Sequence, residues 1–345
     1  MGKNMFTRAI SVILIVTLLL MLVGCSGTSS STPASTAPST STPAPASVPA
    51  SAPTIDYPTK SIEITIGFGA GGDTDLFARA MAENISKELG VSVIVNNVTG
   101  AGGSIASNAV KEAKTDGYTV LFCHNSLIGN YVCDVTDYSH EEFEVACLVA
   151  RNDSIYLALN PSKYPTVEDY IEYCKANPNQ TTFGAIFGGS YHPMTLGVID
   201  DLGIETTLVD IGSSSTGNIE VAAGRIDAFI TNLASSKAYF ESGELYPAIV
   251  FSEERKSEYP DVQTLKERGG ASVCEMFYGF YFPKGTDEAI IEIFNEAAEK
   301  ASKNAGFAEL TATYGANPLY VGYGDALPYM DEIQDWYLRY QSMLS

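Results

Sequence analysis

The chain has 345 residues, 45 % hydrophobic and 10 % aromatic, enough for one large or two smaller cores and too apolar for a disordered chain. Its 20 Lys and Arg stand against 41 Asp and Glu, and the resulting net charge of −21 excludes an extended basic face for nucleic acid. A polytopic membrane protein is excluded as well, because only one long apolar run occurs.

That run opens the chain. Lys3 and Arg8 precede apolar residues 9–23, and Gly24-Cys25 follows, the pattern of an export signal over residues 1–24 rather than of a spanning helix. Leu22-Val23-Gly24-Cys25 resembles the lipobox of bacterial lipoproteins. The resemblance implies cleavage before Cys25, lipidation of its thiol, and attachment to the membrane through that anchor only. Residues 26–56 are almost entirely Ser, Thr, Pro, Ala and Gly, so with Cys25 they read as an extended tether, 25–56. Loss of Lys3 and Arg8 leaves 18 basic residues and a net charge of −23. The expected location is extracytoplasmic, on the outer face of the cell membrane or the periplasmic side of an outer one.

From Tyr57 the hydrophobic period alternates between strand and helix. Strands are expected at 62–68, 91–95 and 118–123, and helices at 75–89 and 104–114. This β-α-β-α-β order predicts a parallel sheet with helices on both faces. A second run begins near Arg151, with strands at 155–159, 182–187, 207–211, 226–231 and 248–251. Its helix over 166–175 is announced by Thr166 and Asp169, spaced as a capping box. A strand at 278–282, a helix at 287–303, a strand at 319–321 and a helix at 327–344 complete the chain. The pattern predicts an α/β protein of two lobes, one built from 57–150 plus 275–345 and the other from 151–274, with a ligand cleft between them.

Beyond Cys25 five cysteines remain, Cys123, Cys133, Cys147, Cys174 and Cys274, an odd number with no CxxC spacing. Most lie in apolar runs and read as small core side chains, with a Cys123–Cys133 or Cys133–Cys147 bridge as the alternative. Metal binding is not expected. His140, between Ser139 and Glu141, reads as a solvated loop residue.

The glycine-rich turns carry the chemistry. Gly67-Phe68-Gly69-Ala70-Gly71-Gly72 follows a strand and opens a helix, formally G-x-G-x-x-G. A dinucleotide site also needs an acidic residue at the end of the second strand, where this chain has Asn96-Asn97. No cofactor is therefore expected. What remains is backbone N–H groups at a helix N-terminus, which favour an anion. Gly100-Ala101-Gly102-Gly103-Ser104, Gly188-Gly189-Ser190-Tyr191-His192 and Gly212-Ser213-Ser214-Ser215 repeat the device. All fall at carboxyl ends of strands, where open α/β sheets bind ligands. Two lobes could thus hold the two ends of one short polyacid. A hydrolase built on Ser190 and His192 lacks the Gly of a nucleophile elbow at 192 and a recognisable third member. His124 would point away from Cys123 on a regular strand.

Tyr57-Pro58-Thr59-Lys60-Ser61-Ile62, Phe68-Gly69-Ala70-Gly71-Gly72-Asp73-Thr74-Asp75, Gly100-Ala101-Gly102-Gly103 and Asp116-Gly117-Tyr118-Thr119 occur in an order that resembles the Bug-type receptors. These are the extracytoplasmic substrate-binding proteins of tripartite tricarboxylate transporters. Ala176-Asn177-Pro178, Gly188 to His192 and Phe282-Pro283-Lys284-Gly285-Thr286 extend the likeness over about residues 57–345. The resemblance implies a two-lobed, type II periplasmic-binding-protein fold that closes around its ligand. It also implies a non-enzymatic transport receptor for a small carboxylate delivered to the large and small membrane subunits of a permease, and a monomer is the default expectation. By the same resemblance Phe68, Ala70, Gly71, Gly72 and Asp75 flank one wall of the site. Gly188, Gly189, Ser190 and His192 flank the other beside Gly212, Ser213 and Ser214, and Asn125 and Ser126 reach in. The family's usual Asn-Arg-Pro is here Asn97-Val98-Thr99, and its Tyr-Lys-Gly is Asp210-Ile211-Gly212. Two positive charges are missing, which favours a mono- or dicarboxylate over citrate. A sensory lipoprotein feeding a signalling partner would use the same binding site.

Overall fold

The computed structural model describes residues 55–272 and 274–344; the expected leader, Cys25 and most of the tether lie outside them. The first sheet begins with β1 (Ile62–Ile66), and α1 (Asp73–Leu89) follows, burying Phe77, Ala78, Met81, Ala82 and Ile85 at helical spacing. Gly90 ends α1 in the left-handed region, φ +69°, donating its N–H to Ser86 O. Next come β2 (Val93–Asn97), α2 (Ser104–Lys111), β3 (Thr119–Cys123), α3 (Ser126–Val132) and the long β4 (Phe143–Asn152).

The chain then enters a second sheet. Its elements are β5 (Ile155–Leu159), α4 (Val167–Ala176), β6 (Thr182–Ala185), α5 (Tyr191–Leu202), β7 (Thr207–Asp210), α6 (Ser214–Ala222), β8 (Ala228–Asn232), α7 (Leu233–Ser242) and β9 (Tyr246–Val250). The capping box expected at α4 is formed, Asp169 N donating to Thr166 Oγ1 and Thr166 N to Asp169 Oδ2. The chain returns through β10 (Met276–Pro283) and closes with α8 (Glu288–Ser302), α9 (Ala305–Thr313), β11 (Ala316–Val321) and α10 (Ala326–Leu338). The expected last helix thus stops six residues early, and β4, α3 and α9 are elements that the periodicity does not announce.

The sheet orders are β11-β4-β10-β3-β1-β2 and β7-β6-β8-β5-β9. Neither is purely parallel. β1 pairs in parallel with β2 and β3, whereas β10 runs antiparallel to both β3 and β4. The reason is topological: β4 carries the chain out of the first sheet and β10 brings it back, so the two neighbours must point in opposite directions. All eight residues of β10 are buried. This is a mixed α/β, two-lobed architecture, with the strand-to-helix turns of both sheets gathered around one cleft.

The five cysteines among the described residues are free; neither Cys123–Cys133 nor Cys133–Cys147 is bridged. Four are buried, and burial pushes the thiol of half-buried Cys133 up to about 11, so it stays protonated and unreactive. His140 is not a solvated loop residue. It is fully buried beneath α10, its Nε2 2.9 Å from Asp331 Oδ1. Among the described residues no helix is long and apolar enough to cross a membrane, and no group of potential metal ligands is gathered.

Candidate functional site

A cavity of about 580 Å³ opens between the two sheets, at the carboxyl ends of their strands. Of the residues expected at the site, Phe68, Ser126, Gly188, Gly189, Ser190, Gly212, Ser213 and Ser214 line it. Ala70, Gly71, Gly72, Asp75, Asn125 and His192 do not line it. Three of these last hold the lining in place.

Asp75 is 2 % exposed and ties the first turn together. Its Oδ2 accepts the Gly71 N–H at 2.9 Å and Arg79 Nε at 3.1 Å, and its Oδ1 accepts Asn97 Nδ2 at 2.9 Å. Burial alone would raise its pKa, but Arg79 and these donors outweigh it and hold the carboxyl below the ordinary range. The Gly71 amide is therefore already engaged within the chain, in a residue at φ +86°. Asn125 is fully buried and ties the turn between β3 and α3 to the start of β10, accepting Phe277 N at 2.8 Å and donating to Glu275 O at 2.7 Å. His192 stacks on Phe187, ring centroids 4.4 Å apart and planes 10° off parallel, and so orients a phenyl ring that does face the cavity.

Several lining residues carry no sequence motif. His124 and Tyr278 form an aromatic floor with Phe68, His124 lying 4.5 Å from the Phe68 ring and 5.8 Å from that of Tyr278. Burial pulls the His124 pKa down to about 4, against the pull of Asp73, so the imidazole is neutral at pH 7. Its Nδ1 accepts the Ser126 N–H at 3.2 Å, which leaves the ring proton on Nε2. Asp73 also lines the cavity: its Oδ2 accepts the Tyr278 hydroxyl at 2.7 Å and its Oδ1 the Thr74 N–H at 2.7 Å. Asn152, Asn232 and Met276 come from strand ends at or beside the crossings between sheets. The strand-end position was the signal that could have found them.

On the far wall Asp210 knots two turns, its Oδ1 accepting Gly212 N at 3.0 Å and Phe187 N at 3.4 Å. Ser213 caps α6 by accepting Thr216 N. The Ser190 hydroxyl makes no hydrogen bond to His192, so the two do not form a nucleophile–base pair. No Lys or Arg lines the cavity; neutral donors, aromatic faces and the single carboxylate of Asp73 do.

The family model described as "Tripartite tricarboxylate transporter family receptor" matches residues 77–344. The chain belongs to that family. It is a solute-binding receptor of the Bug type. Protein BugT of Bordetella pertussis is 29 % identical over 287 residues, 81 % of this chain and 88 % of that one. A UPF0065 protein of Cupriavidus necator is 30 % identical, over 77 % of this chain and 81 % of its own length. A family solute-binding protein from Polaromonas superposes with a TM-score of 0.70 at 23 % identity, covering 84 % of this chain and 99 % of that one. MatC from Rhodopseudomonas palustris, solved with malate bound, superposes with a TM-score of 0.68 at 21 % identity, over 84 % of this chain and all of that one. These receptors share the two-lobed fold.

Proposed function

We propose that this receptor is a lipid-anchored extracytoplasmic protein that captures a small mono- or dicarboxylate and hands it to a permease of one large and one small membrane subunit. The observation that carries the reading is the cavity itself: two opposed sets of strand-to-helix turns, in a chain of the receptor family, enclosing a space lined by neutral donors. Dicarboxylates in the solved relatives agree with it, malate in MatC and adipate in a second R. palustris protein. The missing cations argue against a tricarboxylate, whose third charge would have no partner. Anchoring rests on Leu22-Val23-Gly24-Cys25, with 25–56 as tether. The moving bodies are 57–150 plus 275–345 and 151–274, in a protein that acts as a monomer.

Thermal denaturation against a panel of mono-, di- and tricarboxylates tests the capture step. A ligand at 100 times its Kd stabilises the folded state by about 2.7 kcal/mol. A rise in Tm confined to mono- or dicarboxylates is expected; a rise with citrate alone would reverse the specificity, and one with uncharged sugars alone would reject a carboxylate receptor.

A further inference from the structure

We propose that the ligand carries an ammonium group as well as a carboxylate: Asp73 takes the ammonium on the first wall, and the Ser213–Ser215 turn with Ser190 takes the carboxylate on the second. The receptor's substrate class is then the zwitterionic amino acid rather than the plain carboxylic acid. This rests on the carboxylate-receptor reading above and narrows it.

The first glycine-rich turn is the natural place for an anion, but the chain has put its own anions there. Asp73 Oδ1 lies on the Thr74 N–H and Asp75 Oδ2 on the Gly71 N–H. A ligand carboxylate approaching this end of α1 would meet the like charge of the Asp73 carboxylate on the cavity wall. The partners of Asp73 are a phenol and the amide and hydroxyl of Thr74, all uncharged. Among the described residues it makes no ion pair, the nearby Arg79 pairing with Asp75 instead, and no Lys or Arg lines the cavity to balance it. His124 does not balance it either, being neutral well below pH 7. The α1 N-terminus and its hydrogen bonds keep Asp73 as a carboxylate, and as the one formal charge on the cavity lining it favours a cation on the ligand. The half-buried Phe68 ring lines the same cavity, and an aromatic face attracts a cation.

The opposite wall has the complementary character. Gly212, Ser213, Ser214 and Ser215 line it at the start of the nine-residue α6, where the helix dipole favours negative charge. Ser190, 4 % exposed, lines the cavity beside them and adds a hydroxyl that no backbone group and no histidine engages. The one acid nearby, Asp210, turns its Oδ1 to the Gly212 and Phe187 amides and does not line the cavity. One wall therefore selects positive charge and the other negative.

The test is calorimetric titration of the mature protein with pairs that differ only in the amine: alanine and propanoate, aspartate and succinate, glutamate and glutarate. In at least one pair the aminated member is expected to bind tenfold tighter or more. Asp73→Asn, which keeps the side chain's shape, is expected to shrink that preference at least tenfold by weakening the aminated member alone. Equal or tighter binding of the deaminated members to wild type would overturn the inference and leave the carboxylate receptor standing. An amine preference that survives Asp73→Asn would remove Asp73 from the role assigned to it. If no member of any pair binds at millimolar concentration, both readings fall. The comparison on wild type decides the ligand class even if the variant does not fold.

Discussion

The fold lowers the pKa of all three histidines, and each for the same first reason. Burial lowers the pKa of His124, His140 and His192, while Asp73, Asp331 and Asp210 respectively pull the other way and do not prevail. An unfolded chain would protonate them near pH 6.5, whereas the folded one resists, His124 down to about 4. Between those values the unfolded state binds more protons, so this contribution is complete above pH 6.5 and lost as the pH falls toward 4. The depressed carboxyls of Asp75 and Asp227 act in the same direction, but below their ordinary value of 3.8. Glu275 is raised by burial and opposes the trend. Thermal denaturation from pH 7 to pH 5 is therefore expected to show a falling Tm, and His140→Gln a shallower fall. A Tm that rises on acidification would contradict this. The His140 environment was not legible in the sequence, because its partner Asp331 lies 191 residues away and only the docking of α10 brings the two together.

At the scale of elements, closeness between helices decides more than propensity. Gly129 on α3 faces the turn that opens α5, where a Cβ would lie 2.5 Å from the Ser190 amide nitrogen. Backbone sits on both sides of that contact, so neither can yield by a rotamer change. Gly129→Ala is expected to cost about 1–3 kcal/mol in stability and to push the cavity's 188–190 wall outward. Urea denaturation and ligand titration check this together; unchanged affinity would mean the wall does not depend on that contact. Elements with clean amphipathic spacing, such as α1 and α8, or with a local signal, such as the Thr166 box of α4, are legible from the chain alone. β4 is not, because it is buried on both faces for most of its ten residues and shows no alternation of period two.

For the whole molecule the proposed function requires the two lobes to close on the ligand. Trp336, the chain's single tryptophan, lies on α10 against Gly197 of α5, where a Cβ would come within 2.6 Å of its indole. The C-terminal helix thus packs onto α5 of the second sheet, and under the proposed closure of the two lobes the indole's surroundings would change. Saturation with ligand is expected to change the intensity or wavelength of Trp336 emission, with small-angle scattering reporting a more compact particle. Constant emission with binding intact would indicate a preformed site. The net charge of −21 acts at this scale too, but a Debye length of ~8 Å at physiological salt confines its reach.

What the sequence determined by itself is whatever rests on local physics. The alternating periods set the α/β class, the glycine-rich turns after strands marked where a ligand would lie, and the ordered motifs pointed to the receptor family. These signals are short-range: a turn needs its own glycine and a cap its own threonine. What only the tertiary structure decided is the charge of the site and the roles within it. Asp75, Asn125 and His192 turned out to support the wall rather than form it, while Asp73, His124 and Tyr278 joined it from segments up to 205 residues apart. Side-chain direction and partner choice depend on which strands become neighbours. In this chain that is settled by β10 returning between β3 and β4, a pairing across more than 120 residues that no local pattern encodes.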